Sequence, residues 1–325
     1  MALIRKIGIV GMGHVGAHVA NALLMQGIPD ELYLADVKAQ KLTSEAQDLS
    51  DALSFYPRSC KIVAVGDEYE RLAGCDVIVN AAGEVTASAT DRDGELFVTT
   101  DIARTFVARI ADAGFKGVWV SISNPCDVVC TEIWRLSGCD PRRVIGSGTA
   151  LDSARLRNAI AAKTGVDQHS ICAYMLGEHG FSQFAAFSHV NFGGKPLAEL
   201  AAEQPERFGF DRPEVEELAR RGGYVTYAGK QCTEYAVSLA AVRLVQAVVG
   251  NEHYVTACST LLTGEHGKSG HFASLPCVIG ENGVEEVFDL SLNEREEQAF
   301  VVSCEHIEGN IARLGDWWQA ESRVK

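Results

Sequence analysis

A glycine-rich turn constrains this chain more than any other feature of its sequence. The apolar run Lys6–Val10 is typical of a buried strand, and a glycine triplet leads from it into a helix-like stretch. In such a turn Gly11 permits the tight bend, Gly13 lets the backbone approach a pyrophosphate, and Gly16 lets the helix pack on the strand. The free N–H groups and dipole of the helix N-terminus favour anions. The sequence therefore predicts a dinucleotide-binding turn made by Gly11, Met12, Gly13, His14, Val15 and Gly16.

An acidic residue follows the second predicted strand, Glu31–Ala35. Asp36 stands 20 residues after Gly16, where a carboxylate accepts hydrogen bonds from the adenosine ribose. A carboxylate there would repel a 2′-phosphate, so we predict NAD rather than NADP as the cofactor. The alternative is a glycine turn in an α/β protein without a ligand, but the strand, the helix and the acid together favour the dinucleotide.

The order of the strand-like and helix-like stretches predicts an α/β fold. Helical stretches at 16–26 and 95–113 separate the strand-like runs of the first half. These runs are mostly apolar on both faces, as in a parallel sheet covered on both sides. They are 6–10, 31–35, 61–66, 76–82, 118–123 and 143–148. We therefore predict a Rossmann doubly wound parallel sheet over residues 1–147.

The pattern changes after residue 150 and predicts a second, α+β substrate domain over residues 148–325. A long helical stretch at 213–249 is expected to bend near Gly222-Gly223, and the last helix opens with a capping-box pattern at Asn293. The remaining predicted elements are a helix over 151–164 and strands over 171–176, 184–190, 195–197, 255–263, 272–279 and 284–288. Because no linker separates the halves, we expect them to pack closely.

Composition excludes several classes of function. The chain has 325 residues and a formal net charge of −14, which disfavours binding to nucleic acid or an anionic membrane. No apolar run reaches the roughly 18 residues of a membrane helix, and the N-terminus has no secretory signal pattern. The ten cysteines lie mostly in apolar runs, so we interpret them as reduced buried thiols and predict no metal site.

Four short stretches carry residues suited to one chemistry: 90–94, 123–127, 151–157 and 176–180. Singly, each has an ordinary explanation as a turn, a helix start or a solvated face. Together, Arg155 offers a planar fork for a carboxylate, and His179 can deliver a proton to a carbonyl oxygen as hydride arrives. Asp152 would orient that histidine and favour its protonated form, and Arg92 on a polar loop would polarise the carbonyl. The set suits hydride transfer to a 2-oxo acid.

The chain resembles the L-lactate/malate dehydrogenase superfamily over nearly its whole length, with bacterial L-2-hydroxyisocaproate and L-lactate dehydrogenases as the most similar groups. The resemblance rests on the glycine turn and on Ile122-Ser-Asn-Pro, Val144-Ile-Gly-Ser-Gly-Thr and Leu176-Gly-Glu-His-Gly. It implies that His179 is the proton donor, Asp152 its partner, Arg155 the carboxylate-binding residue and Arg92 the mobile-loop arginine. It also implies a cis Asn124–Pro125 bond, and cofactor contacts from Ala82, Gly83, Ser123 and Asn124, the last also reaching the substrate.

Substrate choice is predicted from one departure. Three residues after Gly83, members of the family carry the residue that contacts the substrate side chain. This residue is typically glutamine in lactate dehydrogenases and arginine in malate dehydrogenases, whereas this chain has Thr86. A short neutral residue cannot pair with a second carboxylate and leaves more room, and Thr233 is expected on the opposite wall. We therefore predict an NAD-dependent dehydrogenase of monocarboxylic L-2-hydroxy acids, of the L-lactate or L-2-hydroxyisocaproate type. A malate dehydrogenase and a non-catalytic NAD-binding redox sensor remain the alternatives. The resemblance further implies a cytoplasmic homotetramer, with a dimer as the alternative.

Overall fold

A nine-stranded sheet runs through the molecule and brings strands from both halves of the chain together. The computed structural model describes residues 4–84, 92–315 and 323–324, with the backbone alone for 92–94. The strands in these ranges are β1 Lys6–Val10, β2 Glu31–Ala35, β3 Lys61–Gly66, β4 Val77–Asn80, β5 Val118–Ser121, β6 Val144–Gly146, β7 Ile171–Cys172, β8 Met175–Leu176, β9 Phe184–Ala185, β10 Asn191–Phe192, β11 Lys195–Pro196, β12 Tyr254–Thr263, β13 Ser269–Gly280 and β14 Gly283–Val287.

The helices lie on both faces of the large sheet and in the second half of the chain. In the described ranges the α-helices are α1 His14–Met25, α2 Ala39–Ala52, α3 Arg92–Asp112, α4 Cys126–Ser137, α5 Ala150–Thr164, α6 Leu197–Glu203, α7 Pro205–Phe208, α8 Arg212–Lys230, α9 Tyr235–Val249 and α10 Glu294–Arg313. None of these described helices has the length and apolar character needed to span a membrane.

The strand order confirms the predicted doubly wound fold. Six parallel strands lie in the order β3-β2-β1-β4-β5-β6. The first three are added in one direction from β1 and the next three in the other, so the strand order reverses between β1 and β4. The antiparallel strands β12, β13 and β14 extend the same sheet beyond β6. The pairing of β12 with β6 needs a glycine at position 146, because a Cβ on Gly146 would lie 2.6 Å from the Cβ of Ser259 on β12.

The core around the parallel strands has two layers, one on each face of the sheet. Ile7 and Ile9 of β1 are buried against α1, α2 and α9, together with residues such as Leu23. Ile78 and Trp119, which project from β4 and β5, are buried in the other layer against α3 and α4. Strands covered on both sides explain why the runs in the first half are apolar throughout rather than alternating.

Two local predictions were wrong in the second half. The long helical stretch does not bend at Gly222-Gly223: α8 continues through them to Lys230. Gln231, with a left-handed φ of 63°, caps the helix by donating its N–H to the Tyr227 carbonyl. Of the strand predicted over 184–190, only β9 is a strand and it pairs with β8, while β11 pairs with β10, which lies beyond the predicted range. The capping box at Asn293 is confirmed, since its side chain accepts from the Glu296 N–H.

Glu132 is a buried carboxyl between two helices. It is fully buried on α4 and accepts from Arg104 Nε of α3 at 3.1 Å. Burial, only partly offset by Arg104, raises the pKa of Glu132 from 4.5 to about 8. Between these two pH values, Glu132 is ionised in the unfolded chain and protonated in the folded protein. The free energy of unfolding therefore falls by roughly 1.4 kcal/mol for each unit by which the pH rises.

Replacing Glu132 with glutamine should therefore stabilise the protein increasingly as pH rises from 5 to 8. The measurement is the difference in Tm between variant and wild type by calorimetry at several pH values. Glu305, an exposed acid on α10, gives the control variant Glu305→Gln, whose Tm difference should not change with pH in this way. A Tm difference for Glu132→Gln that is constant across this range would contradict a raised pKa for the buried carboxyl.

Candidate active site

Two acids stand where two neighbouring parallel strands end. Asp127 lies in the first turn of α4, shortly after β5, and Asp152 lies in the first turn of α5, shortly after β6. Both are buried, with 2% and 0% of their surfaces exposed. Since β5 and β6 are parallel neighbours, their carboxyl ends share one edge of the sheet, which is the edge where α/β proteins bind their ligands.

Asp152 joins the two residues predicted to act on the substrate. Its Oδ2 lies 2.6 Å from His179 Nδ1, and its Oδ1 accepts from Arg155 Nη1 at 2.8 Å. A carboxylate can only accept, so Nδ1 carries the hydrogen and Nε2 of His179 is left for another group. The His179 side chain is 24% exposed and the Arg155 side chain 20%. One buried carboxylate therefore brings together an imidazole and a guanidinium that solvent can reach.

The electrostatics of this group favour the charged imidazolium. Burial on its own would lower the pKa of His179, but the charge and hydrogen bond of Asp152 outweigh it and raise that pKa to about 9. Burial would likewise raise the pKa of Asp152, but His179 and then Arg155 lower it overall. The imidazole of His179 is thus held in its protonated form at neutral pH.

Asp127 holds the backbone of the histidine turn and was not among the predicted site residues. Its Oδ2 accepts from the His179 N–H at 2.8 Å, and its Oδ1 accepts from the hydroxyl of Ser259 on β12. Burial, partly offset by these two hydrogen bonds, raises the pKa of Asp127 to about 6. The sequence showed Asp127 beside the Ser-Asn-Pro stretch, but only the fold shows that it reaches a residue 52 positions away.

The two glycines of α8 have a packing role rather than the predicted bend. A Cβ built on Gly222 would lie 2.9 Å from Arg155 Cδ, and one on Gly223 would lie 3.4 Å from Arg155 Nη2. The missing side chains therefore let the arginine lie directly against the backbone of α8. This explains two adjacent glycines inside a helix, where glycine otherwise costs stability.

The glycine turn has the geometry that its motif predicts. Gly11 has a φ of +92°, and a Cβ there would lie 2.6 Å from the Ala82 backbone. A Cβ on Gly16 would lie 1.9 Å from the Gly11 carbonyl oxygen, so helix and strand could not approach with a side chain present. Gly13 is the N-cap of α1, makes no side-chain cap, and has nothing within 4 Å of its Cβ position. His14 and Val15 begin the helix. The open N-terminus of α1 therefore fits a pyrophosphate.

Asp36 lies directly after β2, beside this turn. Its Oδ2 accepts from the buried Met12 N–H at 2.7 Å, and its Oδ1 accepts from the Lys38 N–H at 2.8 Å. The carboxylate is therefore held in place by backbone and keeps further lone pairs for a ribose. The turn and the acid together fit an NAD molecule.

The remaining predicted cofactor residues follow β4 and β5. Asn80, at the end of β4, was not predicted: its amide donates to Ser121 Oγ at 3.2 Å, and its Oδ1 accepts from the Ala82 N–H at 3.2 Å. Ser123 Oγ donates to the Asn80 carbonyl at 3.3 Å. Gly83 comes directly after Ala82, and Asn124 precedes Pro125 across the cis bond that was predicted. Asn80 thus links the chain ends of β4 and β5.

The predicted substrate residue Thr233 lies near the cofactor turn. It is half-buried in the connection between α8 and α9. Its neighbour Glu234 lies 3.8 Å from His18 and 4.0 Å from His14 at the start of α1. This connection is therefore placed beside the glycine turn. Thr86 and the side chain of Arg92 lie outside the described residues, and their roles stay predictions.

Two family models match the chain. Residues 5–146 match the lactate/malate dehydrogenase NAD binding domain, and residues 149–314 match the lactate/malate dehydrogenase alpha/beta C-terminal domain. The chain belongs to the lactate/malate dehydrogenase family. The predicted superfamily is thereby confirmed, and the family's NAD-binding domain contains the glycine turn and Asp36.

Relatives within the lactate/malate dehydrogenase family include an L-lactate dehydrogenase of Fusobacterium nucleatum, 40% identical over 92% of this chain and 94% of the relative. The crystal structure of a minor L-lactate dehydrogenase from Enterococcus mundtii superposes with a TM-score of 0.90 at 33% identity, covering 96% of this chain and 99% of that one. A Cryptosporidium parvum malate dehydrogenase structure gives 0.88 at 27% identity, with coverages of 96% and 99%. Both kinds of dehydrogenase thus occur on this fold, and of these three proteins the two L-lactate dehydrogenases have higher identities than the malate dehydrogenase.

Proposed function

We propose that the protein is an NAD-dependent L-2-hydroxyacid dehydrogenase of the L-lactate or L-2-hydroxyisocaproate type. The single observation that carries this proposal is the Asp152 carboxylate, which binds His179 and Arg155 together at the carboxyl edge of the sheet. The names of the bacterial relatives support the L-lactate type. We further propose, from family membership, a cytoplasmic homotetramer, with a dimer as the alternative.

Different residues of this chain would bind the substrate, transfer the proton and polarise the carbonyl. Arg155 would bind the carboxylate of the 2-oxo acid through two parallel N–H bonds, because its planar fork matches that group. His179 would donate the proton on Nε2 to the carbonyl oxygen, while Asp152 keeps Nδ1 protonated and stabilises the imidazolium. Arg92 is proposed to polarise the carbonyl as the loop closes.

The cofactor would be held by the turn from Gly11 to Gly16, with Asp36 on the adenosine ribose and Ala82, Gly83, Ser123 and Asn124 along its length. When bound, NADH supplies the hydride of the reaction. The proposed substrate residues Thr86 and Thr233 would then face the substrate side chain, with Asn124 near the reacting carbonyl. A short neutral Thr86 would favour a monocarboxylic acid.

The test follows loss of NADH absorbance with a panel of 2-oxo acids. We expect turnover with pyruvate or 2-oxo-4-methylpentanoate and little with oxaloacetate. If oxaloacetate were the best substrate, the malate dehydrogenase alternative would replace our proposal. Tight NADH binding without turnover of any 2-oxo acid would instead favour a redox sensor.

Asp36 gives a test of cofactor choice. Replacing it with alanine should relax the preference for NADH over NADPH, since the charge that repels a 2′-phosphate is lost. The measurement is the ratio of kcat/KM values for the two cofactors, which we expect to fall by at least about 10-fold. Asp51, an exposed acid at the other end of α2 from Asp36, gives the control Asp51→Ala, which should leave the ratio unchanged.

A further inference from the structure

The histidine turn makes close contact with the last helix. A Cβ built on Gly177, which has a φ of +85°, would lie 2.3 Å from the hydroxyl oxygen of Ser303 on α10. The same hydroxyl accepts from the Glu178 N–H at 2.7 Å. Ser303 is fully buried. The glycine before Glu178 is therefore the residue that lets α10 reach the backbone next to His179.

The Glu178 side chain makes a second contact with α10. It is 7% exposed and folds back over its own turn, where a Cβ on Gly180 would lie 2.6 Å from its carboxyl carbon. One carboxylate oxygen lies 2.8 Å from Nδ1 of His306 on α10, and the other accepts from the Ser182 hydroxyl. A carboxylate can only accept, so His306 donates. Glu178 is thus bound both by α10 and by the far end of the turn.

We propose that Ser303 and His306 of α10 are positioning residues for His179. Neither touches the reacting atoms; they fix the turn from Gly177 to Ser182 through Glu178. Asp127 holds the backbone N–H of His179 from the side of α4, and Ser303 holds the N–H of the preceding residue from the side of α10. The imidazole that must meet both Asp152 and the substrate is therefore supported from two directions. This inference rests on the proposed function, in which His179 is the proton donor.

The expected size of the effect follows from the geometry of proton transfer. A misplacement of a reacting group by about 1 Å can cost ~100-fold in rate. Loss of one of the hydrogen bonds that fix the turn should displace the imidazole less, so we expect kcat to fall by about 10-fold. Binding of the 2-oxo acid carboxylate depends on Arg155 and should be retained.

The experiment compares His306→Leu with His306→Asn. Asparagine places an amide N–H where Nδ1 stood, whereas leucine has a similar shape and no donor. We expect His306→Leu to lower kcat, with KM for the 2-oxo acid unchanged and a larger primary isotope effect with deuterated NADH. His306→Asn should restore kcat and the isotope effect towards wild type. His306 is 53% exposed, so both variants should fold.

His169 provides the matched control. Its Nδ1 also lies 2.8 Å from a carboxylate, that of Asp167, and its side chain is 84% exposed, but it lies in the connection between α5 and β7. His169→Leu should leave kcat and the isotope effect unchanged. Equal losses in His306→Leu and His169→Leu, or no loss in His306→Leu, would overturn the positioning role.

A measurement without turnover separates this inference from the proposed function. In protein with 13C-labelled histidine, the NMR titration midpoint of His179 should fall in His306→Leu, because a loosened turn weakens the contact with Asp152. A midpoint that stays or rises would overturn the inference even in an active enzyme. Wild-type protein that oxidises NADH with none of the 2-oxo acids would refute the proposed function, while the midpoint would still decide whether α10 positions His179.

Discussion

Replacing His179 with alanine is expected to lower kcat for 2-oxo acid reduction by at least ~100-fold, because the proton donor to the carbonyl oxygen is lost. NADH binding should persist, since the glycine turn and Asp36 are untouched. The measurements are steady-state turnover and NADH binding by fluorescence. His189 is the control, because its Nε2 contacts the Ser291 carbonyl rather than a carboxylate at the site. A His189→Ala variant should therefore turn over normally.

The same prediction has a pH dependence with a definite sign. Reduction uses protonated His179, whose pKa is raised to about 9, so the rate should fall as pH rises through about 9. Asp152→Asn removes the anion that raises this pKa, and the fall should move towards pH 6.5 or below. The raised pKa also stabilises the fold: the contribution is complete below about 6.5 and is lost as pH rises through about 9. A rate profile unchanged by Asp152→Asn would contradict the assigned pairing.

Replacing Arg155 with lysine is expected to raise KM for the 2-oxo acid by about 10- to 100-fold. A lysine offers a point charge in place of two parallel N–H bonds, a loss of roughly 1.5–3 kcal/mol. Binding of NADH should change little. The measurement is a substrate saturation curve at saturating NADH.

Arg157, on the same helix as Asp152 and Arg155, gives a matched control. It lies on α5 as Arg155 does, but its guanidinium donates to the Ala173 carbonyl at 3.3 Å, whereas that of Arg155 donates to Asp152. Arg157→Lys should leave KM within about 2-fold of wild type. If Arg155→Lys behaved like Arg157→Lys, the carboxylate would have to bind elsewhere.

The short-range features of this chain could be predicted because their causes are local. The glycine turn needs only a strand, three glycines and a helix, and all lie within β1 and α1. The buried parallel strands were recognisable because both faces are apolar. By contrast, α2 was not predicted, although its buried side chains Leu42 and Leu49 stand seven residues apart, as on one face of a helix. The end of α8 at Gln231 was missed because glycine, not glutamine, usually adopts the left-handed conformation.

The amino-acid sequence by itself determined the class of fold, the dinucleotide turn and the residue types that hydride chemistry on a 2-oxo acid requires, because these depend on neighbours along the chain. Only the tertiary structure decided that Asp152 binds both His179 and Arg155, that Gly222-Gly223 seat the arginine, and that Asp127 and α10 hold the histidine turn. Those contacts join residues up to 128 positions apart. They depend on how helices and strands pack, which no local propensity specifies.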